Sequence, residues 1–301
     1  MIVVYGTVCL DRLRQVERLP EKGGYAEILA ETDLLGGEAA NTAVALAQWG
    51  AGPVLASNPI GRGPWAELIV GKLGMAGIDT TLVPWSESET PTCDIYVTPD
   101  GERTMFGRGF AAMDDRADPT LFPPVEGSWF TADPNHGRAA RSAVVRAQAA
   151  GMRAYLLDFL RADDPIGPGD TWQSSTDWIG VRGNTQKNVL WLQEFVASRG
   201  CFAVLSDGPN GFVAGGPMRP VRHYPPFPCP SMIDSTGAGD MFRAGMLFGL
   251  DQGFSLPDSL RFASAAGCLK CRHLGGTSQV PTKAEIEAHI AANPSVSRAY
   301  E

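Results

Sequence analysis

The heptapeptide at residues 234–240 reads DSTGAGD and combines two carboxylates with a glycine-rich turn. The residues that follow, MFRAGMLFGL, have the apolar character of a buried helix, so the turn is predicted to open one. Free backbone N–H groups and the dipole at the start of a helix bind anions. An acid in the first turn also stabilises a helix end, typically by ~0.3–1 kcal/mol. The stretch alone therefore fits either an anion site or a helix cap.

Two common nucleotide-binding patterns are absent from the sequence. No GxxxxGK[ST] occurs, which excludes a P-loop. The stretch GAGDMF departs from GxGxxG because Phe242 stands at the third glycine position. A nicotinamide-binding fingerprint is therefore unsupported.

A second glycine-rich stretch, GGEAAN, covers residues 36–41. Paired glycines let a ligand approach the backbone closely. The amide of Asn41 offers both a donor and an acceptor to hydroxyl groups. A helix is predicted over 39–49, ended by Gly50, so Asn41 is equally consistent with a helix-start amide.

The elements that would position these stretches alternate along most of the chain. Strands are predicted near 1–7, 53–60, 128–132, 153–159, 201–206 and 211–221, and helices near 39–49, 64–76, 137–150, 185–198, 238–251, 257–274 and 282–292. Such alternation predicts a mostly parallel sheet with helices on both faces.

Two polar β segments, near 12–35 and 92–108, break this rhythm. The second contains PDGE between two short apolar runs, which predicts a hairpin. We expect the two segments to form a small sheet of their own.

Composition limits the class of protein. The chain has 301 residues, 44% of them hydrophobic, as expected for one large α/β domain with a sizeable core. The net charge of −8 argues against a non-specific nucleic-acid binder, although a local pocket can still attract an anion. The first residues lack the basic region of a signal peptide, and no apolar run approaches the ~20 residues of a membrane span. We expect a cytoplasmic protein.

The stretches MIVVYGTVCLD, GGEAANTAVALAQWG, PDGERTMFGRG, SDGPNG and DSTGAGDMFRAG, taken in order, resemble the ribokinase-like (PfkB-type) family of carbohydrate kinases. The resemblance covers nearly the whole chain. It implies a three-layer α/β/α sandwich over residues 1–301, with a mostly parallel central sheet and a small β lid formed by 12–35 and 92–108. It also implies a homodimer joined through the lid.

The implied activity is transfer of the γ-phosphoryl group of ATP, with Mg²⁺, to a hydroxyl of a sugar or sugar acid, which we expect to be a primary hydroxyl. By resemblance, Asp240 is the general base. The N–H groups of Gly237, Ala238, Gly239 and Asp240 would form the anion hole. Phosphoryl transfer depends mainly on positioning and electrostatics, which suits a helix N-terminus.

The resemblance also implies a set of substrate contacts. Asp11 would hold two sugar hydroxyls, and the GGEAAN stretch would approach the sugar. Arg108 matches a position that contacts acidic or keto sugars in some members, and Asp133 matches an acidic sugar contact. The predicted substrate-binding residues are Asp11, Gly36, Gly37, Asn41, Arg108 and Asp133.

For the nucleotide, SDGPNG resembles the family's TxGxxG loop, and the predicted contacts are Asn184, Ser206, Gly208, Gly211 and Ser264, the last beside the adenine. The sequence departs from the family's NxxE element at one point. Lys187 stands where a glutamate normally organises magnesium. A lysine there would repel the metal or contact a phosphate.

A monovalent cation, potassium, is a further implied ligand. Its predicted ligands are oxygens of Asp234, Thr236, Lys270, His273, Gly275 and Gln279. An equally open interpretation is that Asp234 only caps a turn.

Two alternatives remain open at this stage. A nucleoside could be the acceptor, since Phe106, Phe110 and Tyr25 could supply an aromatic lid. A sugar- or nucleotide-binding relative with weak turnover is the second alternative. Lys187 supports it, and the intact GAGD stretch argues against it.

Overall fold

The computed structural model describes residues 1–111, 113, 116–229 and 231–301. The strands are β1 (Ile2–Gly6), β2 (Cys9–Val16), β3 (Ile28–Gly36), β4 (Val54–Ser57), β5 (Thr92–Val97), β6 (Arg103–Arg108), β7 (Trp129–Ala132), β8 (Arg153–Leu157), β9 (Thr171–Ser175), β10 (Phe202–Ser206), β11 (Phe212–Gly216) and β12 (Arg219–Tyr224). The α-helices are α1 (Glu38–Gln48), α2 (Pro64–Met75), α3 (Gly137–Ala149), α4 (Thr185–Arg199), α5 (Ala238–Asp251), α6 (Leu256–Lys270), α7 (Lys283–Ala292) and α8 (Pro294–Arg298).

The large sheet has the strand order β12-β11-β10-β9-β8-β7-β1-β4. Every pair from β4 to β10 is parallel, and β11 and β12 extend the sheet as antiparallel strands. The mostly parallel sheet expected from the alternation of elements is therefore confirmed.

Helices cover both faces of the large sheet, as the alternating side chains of β1 show. Ile2 and Val4 pack into one core with residues of α1, α2, α5, α6 and α7. Val3 and Tyr5 point to the other face and pack with α3 and α4. The result is three layers. No helix in the described part of the chain is both long and apolar enough to cross a membrane.

Strand β9 was not predicted from the sequence. Its residues, TWQSS, are polar at three of the positions that the fold buries: Thr171, Gln173 and Ser174. These side chains can be buried because the fold supplies partners, as when Gln173 bonds to a main-chain carbonyl. A hydrophobic pattern cannot reveal a strand whose buried face is polar.

The small sheet has the order β3-β2-β5-β6, with β2 and β5 parallel and the outer pairs antiparallel. The two polar segments therefore do join in one separate sheet. Because side chains alternate along a strand, Asp11 shares a face with Leu13, and their partners Cys93 and Ile95 lie on that face too. We call this the inner face, since it packs against Leu274 of the main body.

Candidate active site

The DSTGAGD stretch forms a tight turn that opens α5. Gly237 has φ 77°, and a side chain there would lie 2.7 Å from the Cα atom of Gly276. The Ala238 N–H donates to the carbonyl of Ser235 at 3.1 Å and is already engaged. Within the described residues, the N–H groups of Gly237, Gly239 and Asp240 have no acceptor. Three of the four predicted amides are therefore free to bind an anion.

Asp240 lies in the first turn of α5 and is 7% exposed. One carboxylate oxygen accepts a hydrogen bond from the amide of Asn41 at 2.8 Å, and the other lies 3.3 Å from the guanidinium of Arg243. Burial raises the pKa of Asp240 to about 6, while Arg243 and Asn41 act to lower it. The carboxylate is consequently ionised at neutral pH and held from both sides.

Arg243 is fully buried one turn after Asp240. Its guanidinium also donates to the hydroxyl of Thr42 at 2.9 Å and to the carbonyl of Glu38 at 2.5 Å. Nη1 of Arg243 and Oε2 of Glu38 are buried without a hydrogen-bond partner among the described residues. Neither residue is among the site residues predicted from the sequence. The available signal was a charged side chain inside the otherwise apolar stretch MFRAGMLFGL.

The main chain of the turn is fixed from the large sheet. The side-chain amide of Gln173 donates to the carbonyl of Gly239 at 2.9 Å. The hydroxyl of Tyr155 in turn donates to the side-chain oxygen of Gln173, Oε1, at 2.6 Å. These bonds give the buried side chain of Gln173 in β9 its hydrogen-bond partners.

Asp11 lies in β2 on the inner face and is 5% exposed. A side chain at Gly36 would lie 2.0 Å from the Asp11 carboxyl carbon, so only glycine fits there. Burial raises the pKa of Asp11 to about 7, and the charges of Asp240 and Asp234 raise it as well. Asp11 therefore lies near enough to Asp240 to feel its charge, as expected for two groups of one site.

The two predicted glycines differ in what they permit. Gly37 has φ 98°, and a side chain there would lie 2.3 Å from the carbonyl oxygen of Thr7. It starts α1 and so places Asn41 one turn later, against Asp240. Gly36 leaves space for the carboxylate of Asp11, and Gly37 leaves space for the main chain at Thr7.

The two arginines of the hairpin lie on opposite faces of the small sheet. The guanidinium of Arg103 donates to the hydroxyl of Ser235 at 2.7 Å and so reaches the DSTGAGD turn. Arg108 is exposed and forms an ion pair with Glu89 at 2.7 Å. Strand register places Arg103 on the inner face and Arg108 on the outer one. The structure thus brings Arg103 to the site, and a substrate contact by Arg108 stays a prediction.

Asp133 is completely buried after β7. It accepts hydrogen bonds from the N–H of Thr7 at 2.7 Å, the hydroxyl of Thr7 at 3.1 Å and the N–H of Asn135 at 3.2 Å. These bonds hold the end of β1 in place. A sugar contact by Asp133 stays a prediction.

On the predicted nucleotide side, the start of α4 lies beside the SDGPNG loop. Asn184 caps the helix by accepting from the N–H of Lys187 at 3.1 Å, and the Lys187 side chain is exposed. Asp207 accepts from the N–H of Gly183 at 2.9 Å, which ties the loop to the helix start. A side chain at Gly211 would lie 2.2 Å from the carbonyl oxygen of Tyr224. Contacts of these residues, and of Ser206 and Gly208, with a nucleotide stay predictions.

Ser264 is buried, and its hydroxyl lies 2.8 Å from that of Tyr300. Tyr300 is itself fully buried and packs against the rings of Phe212, Tyr224 and Phe227. Any base beside Ser264 would therefore adjoin an aromatic cluster. The adenine contact itself stays a prediction.

The residues predicted to bind a monovalent cation lie in the DSTGAGD turn, at the end of α6 and in the segment that follows α6. Asp234 is fully buried and accepts from the N–H and hydroxyl of Thr236 at 2.8 and 2.7 Å and from the N–H of Gly275 at 2.6 Å. The ammonium group of Lys270 donates to the carbonyls of Asp234 at 3.3 Å and His273 at 2.9 Å. The sixth residue, Gln279, lines a cavity of about 250 Å³ between α6 and α7.

The sequence model of the pfkB family carbohydrate kinases matches residues 1–122 and 176–283, which is more than half of the chain. The chain belongs to this family. It is therefore a phosphotransferase of the carbohydrate kinase type. An uncharacterized sugar kinase of Dictyostelium discoideum is 30% identical over 97% of this chain and 98% of its own length. The ketohexokinase of Mus musculus is 25% identical over 90% of this chain and 95% of its own length.

Solved structures confirm the ribokinase-like fold of this kinase. The ribokinase of Arabidopsis thaliana, solved with ribose and ATP, superposes with a TM-score of 0.78 at 18% identity over 96% of this chain and 97% of its own. The nucleoside kinase of Burkholderia thailandensis, solved with inosine, has a TM-score of 0.77 at 17% identity over 97% of each chain. At these identities the likeness concerns the fold.

Proposed function

We propose that this kinase transfers the γ-phosphoryl group of ATP to a hydroxyl of a sugar or sugar acid. We expect that hydroxyl to be a primary one. The observation that carries the proposal is the position of Asp240. Its carboxylate is bonded to Asn41 and Arg243 and stands beside three free amides of one turn. A base next to an anion hole is what transfer of a phosphoryl group to an alcohol requires.

Asp240 would accept the proton of the attacking hydroxyl as the bond to phosphorus forms. Its pKa of about 6 leaves it mostly ionised near pH 7 while keeping it basic enough to take the proton. Asn41 and Arg243 hold the two oxygens, so the base needs no reorganisation before it reacts. Asp11, on the inner face, would orient the sugar by accepting from its hydroxyls.

The free N–H groups of Gly237, Gly239 and Asp240 would stabilise the charge on the transferred group. Gly239 is exposed, so an anion can reach this turn. Arg103 adds a positive charge from the small sheet through its bond to Ser235. We propose that the small sheet, formed by residues 12–35 and 92–108, acts as a lid over the site, since closing it would bring Arg103 and Asp11 towards the phosphate and exclude water.

ATP is the proposed donor, and the relatives solved with ATP or ADP support it. Magnesium would supply charge neutralisation on the phosphates, held chiefly by phosphate oxygens and water. The NxxE element fits it only in part, because Lys187 replaces the glutamate and Asn184 is engaged as a helix cap. The half-buried carboxylate of Asp158 lies near enough to Asp240 to feel its charge, and we propose it as an acid that could take over the role of that glutamate.

A nucleoside acceptor is the second candidate, and the inner face of the small sheet bears on it. Phe106 pairs with Asp94, so it points away from Asp11. The ring of Phe110, in contrast, lies 2.9 Å from where a side chain at Gly107 would stand, on the same face as Asp11. Phe110 could stack on a base, whereas Phe106 could not.

We also propose that two copies pair through the small sheet. Several of its apolar side chains are exposed, among them Leu29 at 61% and Met105 at 52%. Its outer strands β3 and β6 have free edges, and such edges pair readily with another chain. Light scattering of the unchanged protein and of Leu29→Lys tests this. We expect the unchanged protein to be a dimer and the variant to dissociate. A monomeric unchanged protein contradicts the proposal.

The function is tested by ADP release with Mg²⁺ over hexoses, pentoses, keto sugars, sugar acids and nucleosides. Asp240→Asn should lower kcat by about 10²–10⁴-fold while ATP binding is kept. Asp251→Asn is the matched control, because Asp251 ends the same helix and, among the residues that the structure describes, its side chain bonds to the amino terminus alone. Turnover by Asp240→Asn at the original rate would remove the base assignment. Turnover of nucleosides alone would favour the second candidate.

A further inference from the structure

A lysine lies fully buried at the end of α6, behind the anion-binding turn. The ammonium group of Lys270 donates to two main-chain carbonyls, those of Asp234 and His273. Taking an ammonium group out of water costs several kcal/mol unless charges and acceptors replace the solvent. Here the two carbonyls accept from the ammonium group, and the nearby charge of Asp234 opposes the burial that lowers the pKa of Lys270.

The position of this ammonium bears on the predicted potassium site. A monovalent cation would need oxygen ligands from the same turn and loop, since carbonyl and carboxylate oxygens replace its water shell. The carbonyls of Asp234 and His273 already accept from the lysine. Both carboxylate oxygens of Asp234 accept from Thr236 and Gly275. The carbonyl of Lys270 accepts from the N–H of His273, so few ligands remain for an added ion.

These oxygen atoms therefore fit a potassium ion poorly and fit an ammonium group well. We infer that Lys270 is a built-in cation that takes the place of a monovalent metal ion beside the anion-binding turn. Its charge and its bond to the Asp234 carbonyl hold the chain that leads through Ser235 to Gly237. The kinase should consequently work without added potassium.

The inference has a structural part and a catalytic part, and only the second rests on the proposed function. The structural part is that a positive charge at this point holds the turn and the loop at 271–275 together. Asp234 joins the same two segments through Thr236 and Gly275, so the lysine and the aspartate act on one joint. The catalytic part is that this joint keeps the amides of Gly237 and Gly239 aimed at the phosphate.

A pair of variants separates the loss of charge from the presence of space. Lys270→Ala removes the charge and leaves a hole that a small cation can enter. Lys270→Met removes the same charge and fills the space. Lys283→Ala, at the start of α7, controls for loss of a lysine outside the joint.

The first measurement is thermal unfolding in potassium, ammonium, sodium and choline chloride at equal ionic strength. We expect Lys270→Ala to unfold at a lower temperature than the unchanged protein and to recover in potassium or ammonium, because an ion that binds only the folded state stabilises it. The unchanged protein and Lys270→Met should not respond. An unfolding temperature of Lys270→Ala that is the same in all four salts overturns the inference.

The second measurement is turnover of the best acceptor in the same four salts. The unchanged kinase should have the same kcat in each, and Lys270→Ala should lose most of its kcat and regain part in ammonium or potassium. A clear activation of the unchanged kinase by potassium also overturns the inference. If no acceptor is phosphorylated while the unfolding shift appears, the proposed function fails and the built-in cation stands.

Discussion

The starts of α5 and α4 are the two helix ends that the sequence assigns to phosphate chemistry, and they are built in opposite ways. At α5 the carboxylate of Asp240 is buried and bonded through both oxygens. At α4 the side chain of Lys187 is exposed, while Asn184 caps the first turn and Asp207 accepts from the N–H of Gly183 just before it. One end is held rigidly by buried hydrogen bonds before any ligand arrives, and the other presents an exposed charge.

The contrast separates a structural cause from a functional one. A buried carboxylate, amide and guanidinium must be positioned by the fold, because leaving any of them unpaired is costly. A lysine in the first turn of a helix opposes the helix dipole, so the stability of α4 does not explain Lys187. We expect α5 to define the chemistry and α4 to adjust affinity for the nucleotide.

The strongest test of the rigid end is Arg243→Gln. The guanidinium lowers the pKa of Asp240, so its loss should move the acid limb of kcat to higher pH, as the base must be ionised to act. Misplacement of a reacting group by 1 Å can cost about 10²-fold, and we expect a loss of that order at pH 7.

Several other ionisable groups surround Asp240 and remain in this variant. They are Arg103, Lys270, Asp11, Glu38, Asp133 and Asp158. Glu38→Gln is the control: burial raises the pKa of Glu38 well above its usual range and favours the neutral form, so its replacement by an amide should leave the acid limb nearly unchanged. An unchanged pH profile in Arg243→Gln, with normal folding, would show that the arginine has only a structural role.

The next largest effect concerns the sugar side of the same rigid site. Gly36→Ala would drive a methyl group to 2.0 Å from the Asp11 carboxyl carbon. Loss of hydrogen bonds to a charged group costs about 1.5–3 kcal/mol, so KM for the sugar should rise by roughly tenfold or more. KM for ATP should change little. Gly74→Ala, in α2 with nothing within 4 Å, is the matched control and should leave both KM values unchanged.

The rigid end was largely predictable from the sequence. The stretches GGEAAN and DSTGAGD fixed the expected positions of Asn41 and Asp240, and the structure joins these two side chains by one hydrogen bond. Short motifs carry such information because the turn, the glycine and the functional group lie within one turn of helix.

The supporting contacts were not predictable, because they join residues far apart in the chain. Gln173 reaches Gly239 across 66 positions, and Lys270 reaches Asp234 across 36. Strand β9 has no hydrophobic period that would reveal it, since its polar side chains are satisfied only by the finished fold. Which arginine of the small sheet faces the site also could not be predicted, because strand register decides between Arg103 and Arg108.

A smaller effect is expected where the small sheet meets the rigid end. Arg103→Gln and Ser235→Ala each remove one side of a 2.7 Å bond. Their double variant should show a coupling of about 0.5–3 kcal/mol in kcat/KM for ATP, as residues in contact usually do. Arg62→Gln, at an exposed arginine that pairs with Glu87 outside the small sheet, should leave kcat/KM unchanged. Fully additive losses in the double variant would mean that this contact plays no part in the reaction.

The smallest change concerns the open end at α4. Lys187→Glu would place an acid in the first turn and should stabilise the folded state by about 0.3–1 kcal/mol through the helix dipole, measured by chemical unfolding. KM for MgATP should rise if the lysine meets a phosphate, and half-saturation by Mg²⁺ should fall if the acid can organise the metal. Gln186→Glu adds one negative charge at the neighbouring position and keeps the lysine, so it should give part of the gain in stability and leave the KM for MgATP unchanged. Equal kinetics in the two variants would show that the α4 end takes no part in nucleotide binding, and the contrast with α5 would then be one of stability alone.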